Sequence, residues 1–351
     1  MSDLETLLSR FKAVAKGREG EIPYPKARFK TYAISNFRGG IGKTTLAFNL
    51  AFEMSRLVST LLIDVCPQRN FTQSLLGDDL DDEWDTIYDA LLPKVMPGTS
   101  EVAADELVTS VSPYCPSFRY GKGAFVVAGS PELFLFPSLL YSQLSNAATL
   151  GSRKADTTQT ILKAIDSVIE KCKRECKTAK TLIDTSPFFG GATHLSWVAA
   201  DALVIPVRVD QHSMEALKLT LSMLQNEDMD FLRLNEQAGI TKVPKVHAIA
   251  MTHCGWNRQN KFTPDRSTQS YLSQVLDIVH DHAELFSSDS PLEHIHILDD
   301  FHAAGRISGS RRIPLAKLSK GQGFSIEGQR LEVNASVERY QRELKALART
   351  L

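Results

Sequence analysis

Three glycines, a lysine and two threonines fall close together in Ser35-Asn36-Phe37-Arg38-Gly39-Gly40-Ile41-Gly42-Lys43-Thr44-Thr45. Glycine lets backbone N–H groups turn inward around phosphate oxygens with no Cβ in the way. Lys43 is spaced to reach the β- and γ-phosphates of a nucleotide, and the Thr44 hydroxyl to complete a Mg²⁺ shell. A helix opening at Lys43 would add the partial positive charge of its N-terminus. The phosphate-binding set expected from this spacing is Gly39, Gly40, Ile41, Gly42, Lys43, Thr44 and Thr45. Phe37 stands where the common phosphate-loop pattern carries its first glycine.

Such a loop must leave a strand and enter a helix, and the flanking sequence offers both. Thr31–Ser35 is a short apolar run, Lys43–Leu57 has helical character, and Thr60–Asp64 reads as a buried strand. A second unit runs from a helix over Asp156–Lys177 through a strand at Thr181–Asp184 to a turn at Pro187. Ala202–Val207, Lys245–Thr252 and Ile295–Leu298 read as further strands, with helices from Ser213 towards Leu234 and over Thr268–Glu284. Strands alternating with helices of this length predict an α/β fold: a mostly parallel twisted sheet, covered by helices on both faces. Ser2 and Glu5 form a capping-box pattern ahead of Leu4, Leu7, Leu8 and Phe11, followed by a Gly/Pro-containing linker over Gly17–Pro25. The expected organisation is an N-terminal amphipathic helix and linker over 1–30, then one nucleotide-binding domain over 31–351.

The chain has 351 residues, 43% hydrophobic and 23% charged, an ordinary globular composition with enough material for a core without disulfides or metal. A net charge of −1 argues against coating nucleic acid by bulk charge. Charge is nonetheless uneven: Asp78–Glu106 holds ten acidic residues against Lys94 alone, whereas Phe301–Leu351 holds ten Lys/Arg against four Glu. Five cysteines at irregular spacing fit a reducing compartment, and Cys172 and Cys176 read as helix cysteines rather than a metal site. With no long apolar run and no signal-peptide pattern, the expected location is cytoplasmic.

Three motifs in order resemble the ParA/MinD family of deviant Walker A P-loop ATPases, over roughly residues 31 to 315. Arg38-Gly39-Gly40-Ile41-Gly42-Lys43-Thr44 is similar to the family's Lys-Gly-Gly-x-Gly-Lys-Thr. Asp64-Val65-Cys66-Pro67-Gln68-Arg69-Asn70-Phe71-Thr72 resembles its Asp-x-Asp-Pro-Gln-x-Asn-x-Thr, and Leu182-Ile183-Asp184 its Walker B strand. The resemblance implies ATP and Mg²⁺ as cofactors, with Thr44 and Asp184 on the metal, and a homodimer formed on ATP binding. It also implies non-specific DNA binding and a protein partner, an adaptor or a ParB-like protein, in partition or positioning.

Two positions depart from the family. Arg38 replaces the lysine that reaches the partner's phosphates across the dimer; it keeps the charge and can bind phosphate bidentately. Cys66 replaces the Asp that positions the attacking water, and a thiol orients water less well than a fixed carboxylate. Either ATP hydrolysis is slow, giving an ATP-locked scaffold for a partner protein, or another group substitutes, with Asp64 the candidate. The expected catalytic set is therefore Lys43, Arg38 and Asp64. Arg306, Arg311, Arg312, Lys317 and Lys320 form the candidate DNA-binding segment, with a solvated basic face as the alternative. Val337, Tyr340, Leu344, Leu347 and Leu351 form a narrow stripe expected to dock on the sheet; a MinD-like hold on membrane is the less favoured reading.

Overall fold

The computed structural model describes residues 2–18, 29–77, 84–257 and 262–351. Most of the Gly17–Pro25 linker and the acidic residues Asp78, Asp79, Asp81, Asp82 and Glu83 lie outside the described residues. The strands are β1 (Thr31–Ile34), β2 (Thr60–Asp64), β3 (Val108–Ser110), β4 (Ala124–Val127), β5 (Lys180–Asp184), β6 (Ala202–Arg208), β7 (Lys245–Cys254) and β8 (Ile295–Asp299). They form one sheet in the order β3-β4-β2-β5-β1-β6-β7-β8, parallel throughout except where β3 runs against β4. Two further strands, β9 (Gly323–Ile326) and β10 (Gln329–Glu332), make a separate antiparallel hairpin.

In chain order the helices begin with α1 (Asp3–Ala15), α2 (Lys43–Leu57), α3 (Asn70–Leu76), α4 (Ile87–Val95), α5 (Ala104–Leu107), α6 (Phe136–Ala147) and α7 (Lys154–Leu162). They continue with α8 (Ala164–Cys176), α9 (Ala192–Ala199), α10 (Gln211–Gln225), α11 (Asp230–Gln237), α12 (Arg266–Asp281), α13 (His302–Arg311) and α14 (Val337–Ala348). Alternation along the strands sorts them into two layers. In β1, Tyr32 and Ile34 pack with α2, α3, α13 and α14, while Ala33 faces the opposite layer with α4 and α6–α12.

At its outer edge β8 is closed by α1, whose Arg10 guanidinium donates to the carbonyls of Leu292, at 2.8 Å, and of Ile295. Covering an edge in this way removes a template for strand addition. The capping box holds: Glu5 N–H donates to Ser2 Oγ at 3.2 Å and Ser2 N–H to Glu5 Oε2 at 2.8 Å. The stripe on α14 is buried against α2 and β8, with Val337, Tyr340, Leu344 and Leu347 inaccessible.

Where the periodicity predicts one helix over 156–177, the chain makes two, α7 and α8, meeting at Lys163. The break re-aims the apolar face, so Ile161 and Leu162 before it and Ile165, Val168 and Ile169 after it are all buried. The helix expected from Ser213 towards Leu234 likewise stops at Gln225, because Asn226 forms a turn with its own side chain: Asp228 N–H donates to Asn226 Oδ1 at 3.0 Å. Within residues 114–123, largely at the surface, one side chain supplies a plug. Phe118 is buried against Phe48 and Phe52 of α2, at 6.1 and 5.5 Å between ring centroids.

Candidate functional site

The sheet's central strands end in acids. Asp64 closes β2 and Asp184 closes β5, and the two are paired in register on neighbouring parallel strands. The loop after β1 crosses in front of them and enters α2 at Gly42. Gly40 and Gly42 adopt φ of 70° and 86°, a left-handed backbone that glycine reaches at no steric cost, and a Cβ at either would meet open space. The requirement there is conformational, not one of room.

Phe37 explains itself in the fold. Its ring stacks on Trp197 of α9 at 5.6 Å and meets Phe189 edge-on at 6.0 Å, and Trp197 Nε1–H donates to Ser35 Oγ at 2.9 Å. The loop entry is thus pinned by an aromatic cluster where the common pattern uses a glycine.

Lys43 is buried and curls back over its own loop, donating from Nζ to the carbonyls of Asn36 at 3.1 Å and Arg38 at 2.7 Å. Burial lowers its pKa, opposed by the charge of Asp184. Thr44 Oγ1–H donates to Asp184 Oδ2 at 2.8 Å. Asp184 Oδ1 is buried and has no hydrogen-bond partner among the described residues. Burial, and then the neighbouring Asp64 charge, push the Asp184 carboxyl up to about 8. A half-satisfied buried carboxylate beside a hydroxyl is a hard oxygen pair that fits a divalent cation such as Mg²⁺.

Asp64 is arranged differently. Its Oδ1 accepts from Cys66 N–H at 3.0 Å, and its Oδ2 from Thr72 N–H at 2.9 Å and Thr72 Oγ1–H at 2.8 Å. Gly129 N–H then donates to Thr72 Oγ1 at 2.9 Å, and a Cβ on Gly129 would come within 3.0 Å of the Asp64 carboxyl. The carboxylate is fully buried and accepts at both oxygens, which ties the 65–72 loop together. Cys66, 5% exposed, faces the cleft with its thiol pushed up to about 12 by burial, and so is neutral at ordinary pH.

In front of these groups lies a cleft of about 690 Å³, within the rough 300–1,000 Å³ range of small-molecule sites. Its lining takes in Gly39–Leu46, Cys66, Gln68, Asn70, Thr185 and Pro187, together with Thr252, His253, the segment Leu298–His302, Gly305 and Arg306. Thr252 Oγ1–H donates to the Ile41 carbonyl of the phosphate loop at 3.1 Å. Every expected phosphate-binding residue, Gly39 to Thr45, lines this cleft. Nothing in the sequence pointed to His253 and His302; both sit at positive φ, 57° and 44°, at the end of β7 and the start of α13, which only the fold brings together.

Arg38 lies at the cleft's rim with its Nη2 3.5 Å from Asp210 Oδ2, and its side chain is one-third exposed. The five basic residues have different surroundings, Arg306, Arg311, Lys317 and Lys320 being exposed and Arg312 half-buried. Arg306 lines the nucleotide cleft, its Nη2 3.8 Å from Glu327. Arg312 folds inward at φ 52° against Gly77. Lys317 reaches over the Phe52 ring at 5.7 Å, Arg311 donates to the Ser325 carbonyl, and Lys320 is exposed.

Comparison with known proteins agrees with this geometry. The profile of a family described as "AAA domain" matches residues 29–114. The chain is 30% identical over 185 residues to the chromosome partitioning protein ParA of Myxococcus xanthus, covering 52% of this chain and 54% of that protein. It is 25% identical over 197 residues to the maintenance of carboxysome distribution protein A of Gloeothece citriformis, covering 56% and 64%. The chain thus spans between half and two-thirds of each of these relatives. In fold it resembles the ATP complex of a McdA variant from Cyanothece, with a TM-score of 0.60 at 17% identity, over 92% of this chain and 97% of that one.

Proposed function

We propose that the chain is an ATP-gated dimerising switch of the ParA/MinD type serving partition or positioning, a reading supported by its likeness in sequence to a chromosome partitioning ParA protein and in fold to McdA. One observation carries the reading: the buried, half-satisfied Asp184 beside Thr44, at the mouth of a loop whose lysine is held in reserve on its own carbonyls. When ATP enters, Lys43 exchanges the Asn36 and Arg38 carbonyls for the β- and γ-phosphates, and backbone N–H groups of 39–45 take the remaining oxygens. Thr44 and Asp184 would hold Mg²⁺, which neutralises charge between the phosphates. Arg38 leaves Asp210 and reaches the phosphates of a second copy, so that nucleotide and dimer form together.

Arg311, Lys317 and Lys320 supply outward charge for duplex DNA, contacting phosphates without reading bases. Arg306 is better placed to meet the nucleotide. A protein partner of the adaptor or ParB-like kind resets or recruits the dimer. Residues 31–351 act as the nucleotide-binding domain, with α1 docked upon it. A second reading, an ATP-locked scaffold with little turnover, is favoured by the neutral Cys66 thiol and the fully engaged Asp64.

The test is Mg·ATP binding and molecular mass by light scattering, with phosphate release followed in the presence and absence of duplex DNA. Lys43→Ala serves as the blank. ATP-dependent doubling of mass supports the switch, and turnover raised by DNA separates the cycling ATPase from the locked scaffold. A chain that binds no ATP ends both readings.

A further inference from the structure

We propose that Gln68 positions the attacking water for ATP hydrolysis, taking the part that Cys66 cannot. The inference rests on the ATP-switch reading above and follows from which polar groups around the phosphate end of the cleft remain available. Asp64 has both oxygens engaged by Cys66 N–H and by Thr72. Thr185 donates its hydroxyl to the Ile34 carbonyl at 2.8 Å, away from the cleft. Asn36 spends its amide on the Pro206 carbonyl, at 2.8 Å, and its oxygen on Arg38 N–H, at 3.0 Å. Asp184 is claimed by Thr44 and, through its open oxygen, by the cation.

Two amides are left, Gln68 and Asn70, both exposed and both lining the cleft beside Cys66. Asn70 Nδ2–H donates to Gln68 Oε1 at 3.3 Å, which leaves the Gln68 NH₂ and one lone pair for other partners. Such an amide accepts a hydrogen bond from water while donating one to a γ-phosphate oxygen. It thereby orients a nucleophile whose proton it need not take, and in phosphoryl transfer positioning is much of what a protein supplies.

The backbone under Gln68 is fixed from both sides. Arg69 N–H donates to the Cys66 carbonyl at 3.0 Å, closing a tight turn across Pro67 and Gln68. Asp64 then ties the start of that turn, Cys66, to Thr72 on α3. In the reaction, water attacks the γ-phosphorus and the bond from phosphorus to the β–γ bridging oxygen breaks. The water's proton passes to the released phosphate, so no base beyond the substrate is needed.

The experiment is a double-mutant cycle on steady-state ATP hydrolysis by the full chain, with ATP occupancy measured in the same samples by equilibrium dialysis. Gln68→Ala is expected to lower kcat about 10-fold or more with KM little changed in the wild-type background. In a Cys66→Asp background, where a carboxylate again faces the water, the same substitution is expected to cost less than about 3-fold. Equal losses in the two backgrounds would show a structural role and overturn the proposal. So would an unchanged kcat for Gln68→Ala, or a wild-type chain that is filled with ATP and does not turn it over. That last result would leave the nucleotide-binding switch standing, whereas a chain with no ATP occupancy would remove the switch reading first.

Discussion

Replacing Asp184 by asparagine is expected to stabilise the nucleotide-free protein while destroying its response to Mg²⁺. The carboxyl is fully buried, one oxygen has no partner among the described residues, and Asp64 lies beside it on the paired strand. Its pKa is raised from 3.8 to about 8, so the folded chain holds a proton there that the unfolded chain has lost across that whole interval. The sign follows from linkage. Below about pH 4 the group is neutral in both states and costs nothing. Between pH 4 and 8 stability drains away as pH rises, and above about 8 the loss is complete. A buried polar group without a partner costs about 1–3 kcal/mol, more when charged. With an unfolding entropy of roughly 2.1 cal/mol/K per residue, each kcal/mol moves the Tm of a chain this long by about 1.4 °C. Asp184→Asn should therefore melt at least about 1.5–4 °C above wild type at pH 8.5, where the buried group is charged, and close to wild type at pH 4.5, by differential scanning calorimetry without nucleotide. Adding Mg·ATP should raise the wild-type Tm and leave the variant nearly unmoved. A variant that melts below wild type at pH 8.5, or an advantage that grows as pH falls, would refute the reasoning.

Arg38→Ala should cost less than about 1 kcal/mol of stability, because its ion pair with Asp210 is 3.5 Å long and partly exposed; light scattering should nonetheless show loss of the ATP-dependent dimer. At Gly121 a Cβ would lie 2.7 Å from the Ser55 carbonyl oxygen, so Gly121→Ala should destabilise by about 1–3 kcal/mol in urea titrations by displacing the Phe118 plug. Burial lowers His247 from 6.5 to about 4, so it contributes stability above pH 6.5 that is lost as pH falls towards 4. The urea-measured gap between wild type and His247→Gln should accordingly narrow by up to about 1.4 kcal/mol per pH unit across that window.

The sequence made the phosphate loop legible because its chemistry is local: three glycines, Lys43 and Thr44 act within one turn and need only a strand before and a helix after. Asp184 was singled out through the resemblance of Leu182-Ile183-Asp184 to a Walker B strand, a short apolar run ending in an acid. What the sequence hid was partnership at a distance. Nothing near Asp64 announces that Thr72, eight residues on, donates to it twice, or that Gly129 holds the Thr72 hydroxyl in turn. The surroundings of the basic segment were hidden similarly, as Arg306 joins the cleft lining while Arg311 meets the β9–β10 hairpin and Lys317 the Phe52 ring. Short elements such as β4 and α5 escaped because four residues carry too little periodicity to declare themselves.

Cys66 then takes on a different meaning from a simple loss. Asp64 and Asp184 already place two carboxyl groups side by side in the core, each with a pKa raised chiefly by burial. A third carboxylate at position 66 would face both, and its charge would be hardest to hold whenever no cation is present. A neutral thiol, pushed up to about 12, removes that repulsion while keeping the small volume the turn requires. The cost falls on water orientation. It can be offset only by a group that is uncharged, outside the buried pair and on the same rigid turn, and among the residues of that turn Gln68 alone meets all three conditions while lining the cleft.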